Sequence, residues 1–399
     1  MIDISEDVKL KLQNDTIYRE IKLVFPDDDF EITGENIISE SFELENSIND
    51  EKEFKLGGCI ASEMSVQVIN INQNLIGKKV DVYLKVFYVD KTLFPSSALY
   101  PSSTVYPGVN IGEIEFQLFS GIVDSAKCDK KNRSIRKIVA FDVLYSTSRI
   151  VLKNNFAGYY LNGNKTPLLG DFARPSFAAI DETYNIPKVA DNFNKNTMLS
   201  ITDYDLACKI DEKGITQIDI IKSYCELNST FGIIDRTGKF KQLILYKDDL
   251  IAEEIKSYSS FSFEEYETAD ITQLSFKYNN NNYLDYGARS EKTSRYIADN
   301  NCITKVCTDV FKLIKNFYIN SGDEISNHIF YDVYKYQPMK VVSFNCFWIE
   351  PGDKIKIRCN PASDIFVESF VFSRKIKGVN GMKITLESKG PQYMGKEDA

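Results

Sequence analysis

The chain is poor in the residues on which most enzymes and metal proteins depend. Its 399 residues include one histidine, His328, and one tryptophan. A Ser-His-Asp or Cys-His enzyme would have to route its proton transfer through that one imidazole. His328 lies on a stretch where Ile325, Ile329 and Val333 recur every four residues, so a solvent-facing or interface histidine on a helix is expected. No GxSxG elbow occurs, and no cysteine sits in a recognisable nucleophile context. The eight cysteines are Cys59, Cys128, Cys208, Cys225, Cys302, Cys307, Cys346 and Cys359. None forms a CxxC pair, and the closest two, Cys302 and Cys307, lack partners at zinc spacing. Several sit inside apolar strand patterns, as in Asn345-Cys346-Phe347 and Ile357-Arg358-Cys359, and reduced core cysteines made in a cytoplasm are expected. Gly57-Gly58 is not followed by GK[ST], which excludes a phosphate loop and leaves a tight turn or bulge.

Other absences narrow the class. With 11 prolines and 20 glycines the chain is no collagen-like or linker-rich fibre. No apolar run approaches ~18 residues, so no helix is expected to span a membrane. The acidic start Met1-Ile2-Asp3-Ile4-Ser5-Glu6-Asp7 lacks the basic and apolar regions of a signal peptide. A soluble protein released by lysis is therefore expected. Lys and Arg total 48 against 57 Asp and Glu, a net charge of -9, and no dense basic stripe marks a nucleic-acid face. The best basic cluster, Lys127, Lys130, Lys131, Arg133, Arg136 and Lys137, straddles an apparent turn and reads as a solvated hairpin tip. An acidic surface suits a channel that lets DNA pass without sticking.

Carboxylates are plentiful, so a two-carboxylate glycosidase has to be weighed. Glu264, Glu265, Glu267 and Asp270 form the densest cluster near aromatics, and charged strand edges are the expected reading. Asp27-Asp28-Asp29 lacks the alternating spacing of a calcium loop and reads as a solvated turn. No catalytic, cofactor-binding or metal-ligating residue is assigned, and the chain is not expected to be an enzyme.

What the chain has is apolar and aromatic surface: 43% hydrophobic and 13% aromatic residues, ample for cores. At this length two to four domains are expected, drawn at 1–150, 151–250, 251–345 and 346–399. The fold class is mainly β with an α+β insertion: two small β-barrel domains plus a helix-hairpin unit.

The first region alternates at Ile37 to Leu44, Ser65 to Ile71, Val80 to Tyr88, Ile114 to Ile122 and Ile138 to Tyr145. Gly121 is expected to mark a bulge or bend, and the Pro/Ser/Tyr-rich text between Asp90 and Gly112 a long exposed loop. In the middle region, Gly170 to Tyr184 suits a helix of roughly four turns with Pro175 in its first turn. Thr216 caps a second helix whose face carries Ile218, Ile221 and Cys225. Phe231 to Ile234, the turn Asp235-Arg236-Thr237-Gly238 and Phe240 to Tyr246 make a hairpin. The last region begins with a strand through Ile271, Leu274, Phe276 and Tyr278. It ends with strands around Ile355, Ile357, Phe366, Phe370, Phe372, Ile376, Ile384 and Leu386, with a hairpin turn at Gly378 to Gly381.

The order of these blocks is the informative feature. Gly34 to Leu44 followed by Glu53 to Ser62 resembles the start of prophage tail proteins of low-GC Gram-positive bacteria. Ile138 to Tyr145 resembles their "AYD" strand, with Phe141 in place of the tyrosine. Phe231-Gly232 and Asp235-Arg236-Thr237-Gly238 resemble their middle unit. Tyr336-Gln337-Pro338, Glu350-Pro351-Gly352-Asp353 and Ser388-Lys389-Gly390 resemble their C-terminal barrel. Each motif is turn chemistry, and the order carries the specificity.

The chain thus resembles, over nearly its whole length, the baseplate hub of contractile tails and the tail-associated domain of long tails. The resemblance implies a homotrimer whose paired barrels form a ring that adapts a sixfold tail tube to a threefold spike. It implies tail tube, central spike and baseplate proteins as partners, DNA only as passing cargo, no cofactor, and assembly into a tail particle of a phage or R-type bacteriocin. The stop at Ala399, without a fibre or lysin extension, favours a compact hub. Two alternatives stand beside it: a hub-associated peptidoglycan hydrolase, and a peripheral baseplate or receptor-binding protein.

Overall fold

Period-two alternation runs along much of the chain, and in a computed structural model most of these stretches are strands. The residues described are 4–5, 8–9, 12, 17–49, 56–90, 110–152, 176–181, 215–227, 230–245, 249–264, 271–277, 283–286, 294–298, 336–344, 346–360 and 364–389. The first strands are β1 (Tyr18–Phe25), β2 (Phe30–Ile32), β3 (Ile37–Ser47), β4 (Glu63–Ile69), β5 (Lys79–Asp90), β6 (Asn110–Cys128) and β7 (Ile135–Phe141). The middle of the chain holds β8 (Val151–Leu152), β9 (Ile215–Thr216), β10 (Phe231–Ile234), β11 (Phe240–Leu243), β12 (Glu253–Ile255) and β13 (Ser260–Phe263). The remainder are β14 (Ile271–Lys277), β15 (Tyr283–Tyr286), β16 (Ser294–Ala298), β17 (Met339–Ser343), β18 (Lys354–Arg358), β19 (Phe366–Phe370), β20 (Ser373–Lys377) and β21 (Lys383–Ser388). Two helices matter below, α1 (Val143–Arg149) and α2 (Gln217–Leu227).

Eleven strands make one sheet in the order β13-β17-β21-β20-β3-β4-β7-β6-β5-β1-β2. The mainly β class with small helical insertions is therefore observed. The two small β-barrel domains expected from the sequence do not appear as closed barrels among the described residues: the strand order is linear, with β13 and β2 at its ends. The physical reason is the seam between β3 and β20. Ser373 pairs with Ser47 and Lys377 with Glu43 in antiparallel register, so strands from the two ends of the chain complete each other's hydrogen bonds without either set closing on itself. A smaller sheet, β12-β18-β19, has β12 parallel and β19 antiparallel to β18.

One core serves both ends of the chain. On β5, Val80, Val82, Leu84 and Val86 are fully buried, and they belong to the same cluster as Trp348, Ile355, Ile357, Ile376 and Ile384. Phe116 meets Phe347 edge-on at 5.1 Å between ring centroids. The other face of β5 is half covered: the ammonium of Lys22 lies 5.0 Å from the centre of the Tyr83 ring.

Four local expectations are corrected. The alternation from Ile138 to Tyr145 is not one strand, because the chain turns into α1 after Phe141. Gly121 lies between two bulges rather than at one: register slips occur between Val82 and Tyr83 on the β5 side and between Val123 and Ser125 on the β7 side. A side chain at Gly121 would come within 2.4 Å of the Phe141 carbonyl oxygen, so close approach explains the glycine. Cys128 is exposed, unlike buried Cys59, Cys225 and Cys346. The Cys346 stretch is a turn rather than a strand, closed by the Ile349 N–H to the Cys346 carbonyl at 3.2 Å.

Of the Gly170 to Tyr184 helix, residues 176–178 are helical, and Phe177 and Ile180 are buried. His328 with its helix, the loop at 91–109, Glu265, Glu267, Asp270, Cys208, Cys302 and Cys307 lie outside the described residues.

Candidate functional site at the junction of three segments

The two turn motifs singled out in the sequence, more than a hundred residues apart, meet in space. Each is built by local chemistry. At Glu350-Pro351-Gly352-Asp353, the Asp353 N–H donates to the Glu350 carbonyl at 3.1 Å, and the Asp353 carboxylate accepts from the Glu350 N–H at 2.8 Å. Gly352 has φ of 97°, in the left-handed region that favours glycine. The turn delivers the chain into β18.

In the β10–β11 hairpin, the Asp235 carboxylate accepts from the N–H of Thr237 at 2.9 Å and of Lys239 at 3.0 Å. Gly238 supplies the positive φ, 84°. Burial pushes the Asp235 carboxyl up, but hydrogen bonds from Thr237, Lys241 and the Lys239 N–H outweigh it and hold the group below its usual range.

The two turns face each other across an ion pair, with the Arg236 guanidinium 3.5 Å from the Glu350 carboxylate. A Cβ on Gly352 would stand 2.8 Å from Leu243 of the hairpin. Behind them lies Arg374 of β20, 2% exposed. It donates to the carbonyls of Phe347 and Ile349 at 3.0 and 2.9 Å and to the Asn46 side-chain oxygen at 2.9 Å. One guanidinium thereby fixes β20, β3 and the loop leading into the Glu350 turn. Burial lowers its pKa, against the opposing pull of Glu350 and Asp353; an arginine keeps its charge regardless.

The third wall comes from the N-terminal region. Asp142, the last residue of Ala140-Phe141-Asp142, is the N-cap of α1. Its carboxylate accepts from Leu144 N–H at 2.9 Å and from Ser62 N–H at 2.7 Å. A short polar side chain at this position competes successfully for the chain and ends the strand. Burial pushes its carboxyl up to about 7, against hydrogen bonds from Ser62 and Leu144. Asp142 and Ser62, with Ser120, Asp235, Lys241 and Asp353, line a cavity of about 130 Å³. Burial also raises the Asp353 carboxyl.

The hairpin is carried by α2. Thr216 directly precedes it, and the Asp219 carboxylate reaches back to accept from the Thr216 N–H at 2.9 Å and its hydroxyl at 2.6 Å, the reciprocal half of a capping box with aspartate in that place. Ile218, Ile221 and Cys225 are buried as expected; Ile220 and Tyr224 are buried as well, so the apolar stripe is wider than the sequence reading drew it. Gly57-Gly58 docks on this helix. A Cβ on Gly57 would lie 2.7 Å from that of Glu226, and one on Gly58 would lie 2.2 Å from the Ile48 carbonyl oxygen.

What the arrangement can do is hold shape. Asp142, Asp235 and Asp353 each accept from backbone N–H groups that the turns and the helix end would otherwise leave unpaired. Sequence reasoning found both turns and missed Arg374 and the capping role of Asp142. An aspartate directly before Val143, a residue type favoured at helix N-caps, was the available signal. The other sequence candidates lie elsewhere. Glu264 is exposed, with its N–H on the Pro338 carbonyl at 2.9 Å. Asp28 pairs with Lys78 at 2.7 Å on a solvated turn. The basic cluster sits at the exposed tip between β6 and β7, ordered by the Asp129 carboxylate. Among the described residues, no group of three or more His, Cys, Asp or Glu side chains is placed to hold a metal ion. No helix among them is long and apolar enough to cross a membrane.

The chain is thus a mainly β protein with an α/β insertion, knit at a polar junction. No family model and no curated protein matches it. Three solved structures are similar to it. The tail protein from Neisseria meningitidis MC58 has a TM-score of 0.48 and 10% identity, covering 93% of this chain and 97% of that one. The 43 kDa tail protein of prophage MuSo2 from Shewanella oneidensis has a TM-score of 0.46 and 9% identity, covering 92% and 96%. Prophage tail protein gp18 from Listeria monocytogenes EGD-e has a TM-score of 0.40 and 10% identity, covering 94% and 95%.

Proposed function

We propose that this chain is a structural hub of a phage tail, R-type bacteriocin or related contractile injection machine. In this reading a homotrimer forms a ring that joins the tail tube to the central spike and baseplate, and it performs no turnover. The observation that carries the reading is the junction. Three sequence blocks on which the resemblance to tail hubs rests, at Asp142, Asp235 to Gly238 and Glu350 to Asp353, come together around buried Arg374, and their polar groups serve to hold segments in register.

Among the described residues β13 and β2 end the eleven-strand sheet, a further support, since sheet edges pair readily with neighbouring chains and heterologous contacts close into rings when the rotation allows. The net charge of -9 suits a lumen that repels DNA. The protein would be made in a bacterial cytoplasm and leave by lysis as part of the particle.

The test is the solution mass by light scattering, with negative-stain imaging, of the purified protein alone and mixed with its tail tube protein. A ring of three times the 45.6 kDa chain mass supports the hub. A protein that stays monomeric under both conditions overturns the ring, as would cell-wall lysis by the pure protein abolished by single Glu→Gln changes.

A further inference from the structure

Cys59 and Cys225 are 166 residues apart in sequence, and their sulfurs lie 3.7 Å from each other in the interior. Their exposures are 1% and 0%. The meeting is specified by backbone geometry on both sides. Cys59 forms a parallel bridge with Gly232, and the Gly232 N–H donates to the Gly58 carbonyl at 2.8 Å. The Gly57 N–H donates to the Thr230 carbonyl, and the Thr230 N–H to the Cys225 carbonyl, both at 2.9 Å. Gly232 makes the room: a Cβ there would stand 2.5 Å from the Cys59 sulfur.

We propose that Cys59 and Cys225 are an oxidisable pair, which a peroxide converts into a disulfide joining the segment at residues 56–60 to helix α2. A disulfide sets its sulfurs about 2.05 Å apart, so the pair, now 3.7 Å apart, must close by about 1.6 Å.

The chemistry balances with hydrogen peroxide as oxidant. Cys225 ionises, its thiolate attacks one peroxide oxygen, the O–O bond breaks, and the departing hydroxide takes up the proton that Cys225 released and leaves as water. The Cys59 sulfur then attacks the resulting sulfenic sulfur, the S–O bond breaks, and a second water leaves. Two thiols are oxidised by two electrons, and one peroxide is reduced. Burial pushes the Cys225 thiol up, but hydrogen bonds from Cys59, Gln242 and Thr230 outweigh it and hold the thiol below its ordinary value. Gln242 approaches to 3.5 Å, a hydrogen bond to the Cys225 sulfur that favours it as the attacking group. Reducing cytoplasm keeps the pair as thiols, and an oxidising exterior removes that protection. A bond that closes so long a loop restricts the unfolded chain strongly.

The experiment uses the full chain, freed of reductant and treated with hydrogen peroxide. It is then denatured, alkylated and digested with trypsin. The expected product links the peptide 56–78 to the peptide 223–236, is lost on reduction, and forms only when peroxide meets the native protein. The thermal midpoint should rise on oxidation and return with dithiothreitol. Cys225→Ser should abolish both effects, whereas Cys128→Ser, at an exposed position, should leave both. Recovery of Cys59 and Cys225 as separately alkylated thiols or separate sulfinic acids, once exposed Cys128 has been oxidised, would overturn the proposal. The reductant-reversible readouts on the unsubstituted chain decide the matter even if a variant fails to fold.

Discussion

Arg374 and Lys375 are adjacent on β20, and both reach across the same seam to β3, yet they enter opposite environments. Arg374 is 2% exposed and its acceptors are the neutral oxygens of Asn46, Phe347 and Ile349. Lys375 leaves the other face, where its ammonium lies 2.8 Å from both Glu43 and Glu45. Counting charges would rank the lysine first. Burial reverses the order, because water competes for every exposed contact and for none of the buried ones. The seam is therefore held on its inner side by one guanidinium and decorated on its outer side by ion pairs.

The comparison can be broken most severely at Arg374. Arg374→Met should lower unfolding free energy by about 3–5 kcal/mol, since it strands several buried acceptors and removes the cation near Glu350 and Asp353. A denaturant titration reads the loss, and a midpoint shift no larger than that of a surface variant would sink the junction as the organising site. Next comes Asp142. An unfolded aspartate ionises near 3.8 and the folded one near 7, so between those values the folded state holds the extra proton and rising pH favours unfolding. Stability should fall from pH ~4 to ~7 and level off above. Asp142→Asn should flatten this slope, and thermal midpoints across that range measure it.

Gly352→Ala should cost about 1–3 kcal/mol, because an alanine is strained at its positive φ and its Cβ meets Leu243 at 2.8 Å. Urea midpoints of the variant and of an Ala→Gly reversion give that figure. The smallest effect sharpens the other side of the comparison. Lys375→Ala should cost no more than ~1 kcal/mol, since its pairs are a third or more exposed, and the cost should shrink further at 1 M salt.

Much of the strand content was legible, because period two in a sheet needs only the alternation visible at Val80, Val82, Leu84 and Val86. Both turns of the junction were legible too, since Gly238 and Gly352 mark positive φ and Asp235 and Asp353 mark carboxylate-closed turns. The end of β7 was misread, because Val143 and Tyr145 continue the alternation while Asp142 caps a helix; a hydrogen bond to Ser62, eighty residues away, settles that contest. The barrels were misread for a similar reason. Alternation tells which face of a strand is buried, and says nothing about which edge its neighbour occupies.

The sequence by itself determined the local chemistry of this protein: strands with one apolar face, turns closed by aspartate and glycine, a helix start marked by Thr216 and Asp219, and the scarcity of catalytic side chains. Those are decided over a few residues, where backbone sterics and short hydrogen bonds dominate. Only the tertiary structure decided that β20 joins β3, that Arg374 lies inside and Lys375 outside, that two distant turns face each other, and that Cys59 meets Cys225. Those depend on which distant segments share a core, a matter of packing and desolvation summed over the whole chain.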